Sequence, residues 1–378
     1  MKPSNLELKG KYLARTLYDG SGTQARHDIL IEIENGIFTR IAPYQSSDSA
    51  SDIEEHAIIT PGLIDIQING ANDVQFNSDI TQIAVAKIAE GAAKGGAVWI
   101  LPTFVTSDGS DYIRAINATR KAIESGSPGI LGLHLEGPFL SPHRPGIHPR
   151  EAIRPLTDTD IENLTEPFPG QLLVTLAPEE QSSGMIKKLT EAGVIVFAGH
   201  SEATFEDIEA AKSEGLRGAT HLFNAMSQMQ GREPGVVGSV LGGGLFAGII
   251  ADGYHVHWNN LSIAVKAIPD RLCLVTDAMC TVAGTITEFD FFNEHIFLKD
   301  RRLSNSQGTL AGAHLAMDES IRNLIDHCAA SPEEAVKMAS WNPARSIGLG
   351  DRLGLVEENR SANLALFDEG FRSIGVIR

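Results

Sequence analysis

The chain has 378 residues, enough for a barrel of about 250 residues and a smaller module. Its 42% hydrophobic and 21% charged residues are typical of a soluble globular enzyme. A net charge of −17 at pH 7 argues against a nucleic-acid-binding protein, because such a chain repels a phosphate backbone.

The cysteines and the apolar runs bear on the compartment. There are three cysteines (Cys273, Cys280 and Cys328), an odd number without a C-x-x-C spacing, which favours a reducing compartment over a disulfide framework or a thiolate zinc site. The N-terminal stretch lacks the apolar core of a signal peptide, and no run of about 18 apolar residues is present. We therefore expect a cytoplasmic protein without a membrane partner.

Short strands are predicted for residues 1–57, where "DILIEIENGIFTRIAP" alternates apolar and polar residues around Asn35-Gly36, a strong hairpin signal. From residue 58 the pattern changes to buried strands separated mostly by helices such as "DITQIAVAKIAEGAAKGG" and "TFEDIEAAKSEG". Eight such strand segments follow one another: "IITPGLIDIQING", "GAVWILPTFVTS", "ILGLHLEGPFLS", "QLLVTLAPE", "GVIVFAGHS", "GATHLFNAM", "LFAGIIADGYHVH" and "RLCLVTDAM".

Eight buried strands alternating with helices predict a closed (β/α)8 barrel of the TIM type, in the α/β class, over residues 58–349. The segment "EFDFFNEHIFLKDRRLS" after the eighth strand predicts an inserted pair of strands, and "SPEEAVKMASWNPA" predicts a helix capped by Ser331 and Glu334. Residues 350–378 are strand-like again, so we expect them to join residues 1–57 in one small β-sandwich domain.

Polar residues stand at the ends of several barrel strands, and active sites of such barrels lie where the carboxyl ends of the strands meet. These residues are Glu136 (strand three), His200 (strand five), His221 and Asn224 (strand six), His255 and His257 (strand seven) and Asp277 (strand eight). Any one of them could be a structural residue or a helix cap. Together they predict a polar site at one rim of the barrel.

Glu136, His200 and His221 offer one carboxylate and two imidazoles to a single divalent cation, a ligand set that suits a catalytic metal site. Such a cation lowers the pKa of a coordinated water and polarises a substrate oxygen. Asp277, on the opposite side of the rim, can accept the proton of that water and deliver it to a leaving group. The alternative for Glu136 is a buried ion pair with an arginine or a histidine.

The first strand has Gln67 and Asn69 where many metal-dependent barrel hydrolases have His-x-His. Amides are poor zinc ligands, so we expect one metal ion per chain rather than two. Zinc is the expected metal, and iron, cobalt, nickel or manganese are alternatives, because selection depends on geometry and supply. We interpret Asp65 in the same strand as structural.

Two loops supply further candidates. The loop after strand three, "SPHRPGIHPREAIR", contains His148, which could donate a hydrogen bond to a carbonyl oxygen as charge develops on it, and His143, which we interpret as solvated. The loop after strand six contains Arg232 among Gly and Pro residues. A lone arginine there is either solvated or a ligand for an anion, since the guanidinium group suits bidentate phosphate contacts.

The ordered motifs resemble a known family. "PGLIDIQING", "HLEGPFLS", "GHSEAT", "THLFNAMS", "ADGYHVH", "VTDAM" and "GTLAGA" occur in the order found in the N-acetylglucosamine-6-phosphate deacetylases, a branch of the amidohydrolase superfamily. The resemblance spans roughly residues 58–350. It implies a metal-dependent hydrolysis of the acetamide of N-acetylglucosamine 6-phosphate, which yields glucosamine 6-phosphate and acetate in amino-sugar catabolism.

The resemblance also implies a role for each site residue. The metal ligands fall on Glu136, His200 and His221, the acid/base on Asp277 and the carbonyl-polarising histidine on His148. The substrate contacts fall on Asn224, Ala225, Arg232, His255 and Leu310. Arg232 would reach the phosphate bound by a neighbouring subunit, so a homodimer is expected. Asn363 and His314 depart from the residues expected at their positions, and a role in stability is the expectation for Asn363.

Two alternatives remain open from the residues. A cyclic-imide hydrolase or a nucleobase deaminase would use the same barrel and metal ligands, although the missing His-x-His and the Arg232 loop count against both. A catalytically silent barrel that serves as a binding scaffold would be expected to lose metal ligands or the strand-eight carboxylate. This chain keeps Glu136, His200, His221 and Asp277.

Overall fold

The computed structural model describes residues 8–46, 48 and 52–378. The strands are β1 (Gly10–Leu17), β2 (Arg26–Glu34), β3 (Ile37–Pro43), β4 (Ile53–Pro61), β5 (Leu63–Ile68), β6 (Gly70–Ala71), β7 (Val74–Gln75), β8 (Ala97–Val105), β9 (Gly132–Glu136), β10 (Gln171–Leu176), β11 (Ile195–Ala198), β12 (Gly218–Ala219), β13 (Phe246–Ile250), β14 (Leu272–Val275), β15 (Glu288–Phe291), β16 (Glu294–Lys299), β17 (Arg302–Ser304), β18 (Leu364–Phe367) and β19 (Ser373–Ile377). The α-helices are α1 (Gln82–Ala93), α2 (Asp111–Glu124), α3 (Asp158–Leu164), α4 (Met185–Glu191), α5 (Phe205–Ser213), α6 (Gly235–Leu241), α7 (Trp258–Ala267), α8 (Met317–Cys328), α9 (Pro332–Ala339) and α10 (Trp341–Ser346).

Eight parallel strands form the barrel in the order β5, β8, β9, β10, β11, β12, β13 and β14. Each strand lies in one of the eight predicted segments. Backbone hydrogen bonds across the last seam, from Asn69 N to Ala278 O and from Asp277 N to Gln67 O, both 2.9 Å long, join β5 to the segment after β14. The predicted (β/α)8 barrel is therefore confirmed.

Apolar side chains fill the inside of the barrel and the layer between the strands and the helices. The inner cluster includes Ile64, Leu101, Phe197 and Phe246, and Ile347 after α10 packs into the same cluster. Because the barrel is a packed core rather than a pore, polar chemistry is confined to its rims.

The two ends of the chain meet in one mixed sheet of six strands, in the order β19, β18, β4, β1, β2 and β3. The hairpin between β2 and β3 turns at Asn35 and Gly36, whose φ angles of 52° and 71° suit the predicted tight turn. Strand β4 pairs with β18 as far as Pro61 and then leads directly into β5. The sheet thus extends past residue 57, and the division of the chain at residues 57 and 350 stays a prediction.

The segment after β14 differs from its prediction. It forms a sheet of three strands, β15, β16 and β17, rather than an inserted pair, because the chain turns again at Asp300 and Arg301, both at positive φ. Apolar residues of this sheet, among them Phe291, pack on Val105 and Met279 at the barrel rim. The sheet therefore forms part of the wall above the barrel.

The cap predicted at Ser331 is confirmed, but the single helix predicted for this segment is wrong, because the backbone leaves the helical conformation at Ser340 and divides it into α9 and α10. The hydroxyl of Ser331 accepts from Glu334 N at 3.2 Å, and the Glu334 carboxylate accepts from Ser331 N at 2.8 Å at the start of α9. No helix in the described part of the chain has the length and apolarity that a bilayer crossing requires.

The close contact between Gly132 in β9 and Gln171 in β10 gives a test of the packing. A Cβ on Gly132 would lie 1.9 Å from Gln171 O in β10, so Gly132→Ala must push β9 and β10 apart. We expect a destabilisation of about 3 kcal/mol or more and a lower midpoint of thermal unfolding. In the control Gly231→Ala, the new Cβ meets no atom within 4 Å, and the midpoint should change little. Equal midpoints for the two variants would contradict this packing.

Candidate functional site

Four polar residues meet at the carboxyl ends of the barrel strands. Glu136 is the last residue of β9, and His200, His221 and Asp277 each stand two residues beyond the ends of β11, β12 and β14. The last three have positive φ angles of 48°, 30° and 49°, an unusual conformation for residues other than glycine. These turns place side chains from four separate strands at one rim, as the sequence predicted.

The rim residues line a cavity of about 190 Å³. All of the predicted site residues except Arg232 contribute to its wall: Glu136, His148, His200, His221, Asn224, Ala225, His255, Asp277 and Leu310. Phe291 of the inserted sheet and Asn69 of the first strand also line the cavity. The structure therefore brings residues from both halves of the barrel to one site.

Glu136, His200 and His221 form the tightest cluster in the cavity. His221 Nε2 lies 2.7 Å from Glu136 Oε1, and His200 Nε2 lies 3.1 Å from each of these two atoms. All three side chains are buried. Burial disfavours the charged form of Glu136, but the facing imidazoles outweigh it and hold the pKa of this carboxyl well below its usual value. The carboxylate is thus available as a ligand.

The hydrogen bonds of the two histidines fit a cation in this cluster. The Nδ1–H of His200 donates to the Arg144 carbonyl at 2.8 Å, so a neutral His200 carries its lone pair on Nε2. That lone pair faces Glu136 Oε1 and His221 Nε2. Three possible ligand atoms this close together can share one cation, and one carboxylate with two imidazoles suits a divalent transition metal ion.

His148 lies beside this cluster, and a second set of three is geometrically possible. Glu136, His148 and His200 each offer one ligand atom within 4.8 Å of the other two. Nε2 of His221 lies 2.7 Å from Glu136 Oε1 and 3.1 Å from His200 Nε2, however, whereas Nδ1 of His148 already bonds Thr106 Oγ1 at 2.8 Å. The distances therefore favour His221 over His148 as the third residue that could hold a metal.

His148 is placed to act as a neutral hydrogen-bond donor. Burial, followed by the neighbouring His200, lowers the pKa of its imidazole well below the usual value. If the Thr106 hydroxyl donates to Nδ1, the remaining hydrogen of the neutral ring lies on Nε2. A neutral imidazole in that tautomer can donate to an oxygen bound in the cavity.

Asp277 is half-buried on the other side of the cavity and is held by two amides. Asn69 Nδ2 donates to its Oδ1 at 2.6 Å, and Gln67 Nε2 donates to the same oxygen at 3.3 Å. Gln67 Nε2 also lies 3.1 Å from Glu136 Oε2. Burial, followed by the Glu136 carboxylate, raises the pKa of Asp277 to about 6. This carboxyl group can therefore both accept and release a proton near neutral pH.

The contacts of Gln67 and Asn69 are what sequence reasoning missed. The sequence indicated only that these amides replace metal-binding histidines, whereas the structure makes them donors to the two carboxylates of the site. Two acids near each other require donors, and this requirement was the available signal. Asp65 lies outside the cavity wall. It accepts from Thr276 Oγ1 at 2.5 Å and from Gln67 N at 3.2 Å, and burial raises its pKa to about 7.

His255 and His257 have separate places in the structure. Nδ1 of His255 bonds Asp252 Oδ2 at 2.7 Å, which fixes the ring while the residue lines the cavity. His257 instead caps α7, where its Nδ1 accepts from Asn259 N at 3.2 Å. His257 is therefore a structural residue, and the structure does not bring it to the site.

Three other residues singled out in the sequence lie away from the cavity wall. Arg232 is exposed in the loop before α6, and His143 is exposed in the loop that carries His148. His314 bonds Thr281 Oγ1 at 2.9 Å, and burial lowers its pKa. Within one chain, the structure does not bring Arg232 together with the other predicted site residues.

Comparisons with known proteins agree with this architecture. The model of the amidohydrolase family matches residues 58–376. The N-acetylglucosamine-6-phosphate deacetylase of Haemophilus influenzae is 37% identical over 322 residues, which cover 84% of this chain and 84% of the relative. The N-acetylgalactosamine-6-phosphate deacetylase of Shewanella sp. (strain ANA-3) is 32% identical over 369 residues, which cover 96% and 93%.

Similarity to a solved structure extends over nearly the whole chain. The crystal structure of N-acetylglucosamine-6-phosphate deacetylase from Pasteurella multocida superposes with a TM-score of 0.91 at 31% sequence identity, and the match covers 98% of each chain. The barrel and the sheet formed by both termini therefore have a counterpart of known fold. The chain belongs to the amidohydrolase family, in the branch that contains the deacetylases of N-acetylated hexosamine 6-phosphates.

Proposed function

We propose that this protein hydrolyses the acetamide of N-acetylglucosamine 6-phosphate to glucosamine 6-phosphate and acetate. The observation that carries the proposal is the pairing of the Glu136, His200 and His221 cluster with the amide-held Asp277 across one cavity. An amide is hydrolysed only if its carbonyl is made electrophilic and its amine leaving group is protonated. This arrangement offers a group for each requirement.

Glu136, His200 and His221 would hold one divalent metal ion per chain. When bound, such an ion polarises a substrate oxygen and makes a water molecule a better nucleophile at neutral pH. Zinc is the metal we propose, since it favours mixed imidazole and carboxylate ligands, with iron, cobalt, nickel and manganese as alternatives. The backbone carbonyl of Arg144 orients His200 for this role through its contact with Nδ1.

His148 would bind the acetamide carbonyl oxygen. Its low pKa keeps the imidazole neutral. We assign the single Thr106 hydroxyl hydrogen to Nδ1, 2.8 Å away, rather than to the Glu136 carbonyl oxygen at 3.3 Å, and this assignment leaves the Nε2–H of His148 to donate. As the carbonyl carbon becomes tetrahedral, negative charge grows on its oxygen, and this hydrogen bond strengthens. His148 thus stabilises the transition state more than the bound substrate.

Asp277 would move the proton. Its Oδ1 is occupied by Asn69 and Gln67, so Oδ2 is the oxygen that takes a proton from the attacking water. The same carboxylic acid then protonates the nitrogen as the C–N bond breaks, and the base form of Asp277 is restored. A pKa of about 6 suits both steps, because neither protonation state is strongly disfavoured near neutral pH.

The sugar phosphate would extend away from the metal ligands. His255, held by Asp252, together with Asn224, Ala225 and Leu310, lines the part of the cavity that we assign to the sugar and its phosphate. Arg232 is exposed in a rim loop, a position from which it would bind the phosphate held by a second subunit. A homodimer with one shared phosphate contact per site is therefore part of the proposal, as is a cytoplasmic location.

One specific observation favours a second substrate. The relative from Shewanella sp. is an N-acetylgalactosamine-6-phosphate deacetylase and covers more of this chain than the relative from Haemophilus influenzae. The two sugars differ only in the configuration at C4, which the residues of the acetamide site do not contact in this proposal. Both substrates therefore belong in the test.

The proposed function is tested by acetate release from N-acetylglucosamine 6-phosphate, its galactosamine counterpart and N-acetylglucosamine without phosphate. We expect release from the first that requires the phosphate and is lost after chelator treatment. Release that does not need the phosphate would remove the role of Arg232. No release from the metal-loaded protein with any of the three would contradict the proposed reaction.

The metal ligands are tested by metal content rather than by activity. Glu136→Gln removes the charged ligand but keeps the size of the side chain, so we expect the purified variant to lose most of the divalent metal that the wild type retains after dialysis. The measurement is the metal-to-protein ratio by elemental mass spectrometry. The control is Glu124→Gln, at an exposed position on α2. A Glu136→Gln variant with full metal content would contradict the assignment.

The role of Asp277 predicts a pH dependence. The base form of Asp277 is lost as the pH falls through its pKa of about 6. We therefore expect kcat/KM to begin to fall at a pH of about 6 or lower, and then to fall roughly tenfold per pH unit. A bound cation shifts this pH further down, because it favours the carboxylate. The measurement is kcat/KM from pH 4.5 to 8, with thermal unfolding followed at each pH.

The matching variant is Asp277→Asn. It should lower kcat by a factor of about 10³ or more while the metal-to-protein ratio stays at the wild-type value. Near-normal turnover in this variant would remove the proton-transfer role. Loss of the metal together with activity would instead make Asp277 a ligand.

A further inference from the structure

Asn69 lines the cavity, and one of the two polar atoms of its side-chain amide has a clear hydrogen-bond partner. Its side chain is 2% exposed, and Nδ2 donates to Asp277 Oδ1 at 2.6 Å. The orientation of the amide follows from chemistry, because a carboxylate oxygen needs a donor and the opposite orientation would place two acceptors together. The other half of the amide, Oδ1, is therefore an acceptor.

That acceptor has no protein partner. Asn69 Oδ1 is buried and makes no hydrogen bond with any described residue. An unsatisfied buried acceptor is destabilising, so such atoms usually meet a water or a ligand. Gln67 differs from Asn69 in its position relative to the cavity. It donates to the same Asp277 oxygen, but it does not line the cavity, whereas Asn69 does.

We propose that Asn69 Oδ1 accepts the N–H of the acetamide that is hydrolysed. The inference rests on the proposed function, in which Asp277 must reach the same nitrogen. Asn69 and Asp277 are in contact, so the nitrogen that approaches Asp277 also approaches Asn69. The acetamide nitrogen carries one hydrogen, which matches the one free acceptor.

The contact would orient the nitrogen for proton transfer. Water adds to the carbonyl carbon, the C–N bond breaks with its electron pair on nitrogen, and the proton comes from Asp277. The original N–H stays on nitrogen throughout and is held by Asn69, which turns the new lone pair towards Asp277. Asn69 is then a specificity residue, because an ester has an oxygen without hydrogen at this place.

The experiment compares an amide with an ester in matched variants. The substrates are N-acetylglucosamine 6-phosphate and 2-O-acetylglucose 6-phosphate, and the variants are Asn69→Ala and, as the control, Gln67→Leu. Both variants remove one donor to Asp277 Oδ1, but only Asn69→Ala removes the acceptor in the cavity wall. The quantity measured is kcat/KM for each substrate, with the unfolding midpoint and the metal content of each protein.

We expect Asn69→Ala to lower kcat/KM for the amide about tenfold more than for the ester, the factor expected for one lost hydrogen bond. Gln67→Leu should lower the two values by similar factors. If Asn69→Ala lowers kcat/KM for both substrates by the same factor, the inference is overturned. It is also overturned if Gln67→Leu lowers kcat/KM for the amide more than for the ester to the same extent as Asn69→Ala. If Asn69→Ala does not fold, Asn69→Leu, which keeps most of the side-chain volume and also lacks the acceptor, carries the same expectation.

The outcome for the wild type separates this inference from the proposed function. Amide hydrolysis by the wild type with no amide-specific loss in the Asn69 variants overturns the inference alone. A wild-type protein that hydrolyses neither the amide nor the ester overturns both.

Discussion

Two carboxyl groups at one end of the barrel, the buried Glu136 and the half-buried Asp277, impose the main constraint on this structure. Neither can be charged in the interior without donors or a cation. The protein meets this requirement differently for each. Glu136 faces the imidazoles of His200 and His221, whereas Asp277 accepts from the amides of Gln67 and Asn69. The difference in surroundings separates their pKa values, one well below its usual value and one raised to about 6.

That separation is what allows one cavity to contain a metal ligand and a proton carrier of the same chemical type. Gln67 is shared, since its amide lies near an oxygen of each carboxylate. The seam between β5 and β14 brings it there, with backbone hydrogen bonds on both sides. Closure of the barrel and assembly of the site are therefore the same event. An open sheet with the same strands would leave Asp277 without its donors.

Much of this site could be predicted because barrel strands end at one rim. Glu136, His200, His221 and Asp277 were identifiable as polar residues after apolar runs, without knowledge of the distances between them. The donors to Asp277 were not, since Gln67 lies 210 residues away in the sequence and meets it only across the seam. The third strand of the inserted sheet was missed because its turn has Asp300 as its one turn-favouring residue, followed by Arg301 rather than Gly. Arg232 could be singled out by residue type, but a single chain gives it no partner to explain its position.

The order of strands in the terminal sheet has a consequence for how the protein is made. Strand β4 lies between β1 and β18, so one of its edges stays open until residues 364–367 have left the ribosome. By then the whole barrel has been synthesised. An open edge with unpaired backbone groups invites pairing with another chain. The exposed interval lasts for the synthesis of about 300 residues, on the order of 15–60 s at about 5–20 residues per second. During this interval the edge of β4 that later pairs with β18 lacks that partner strand.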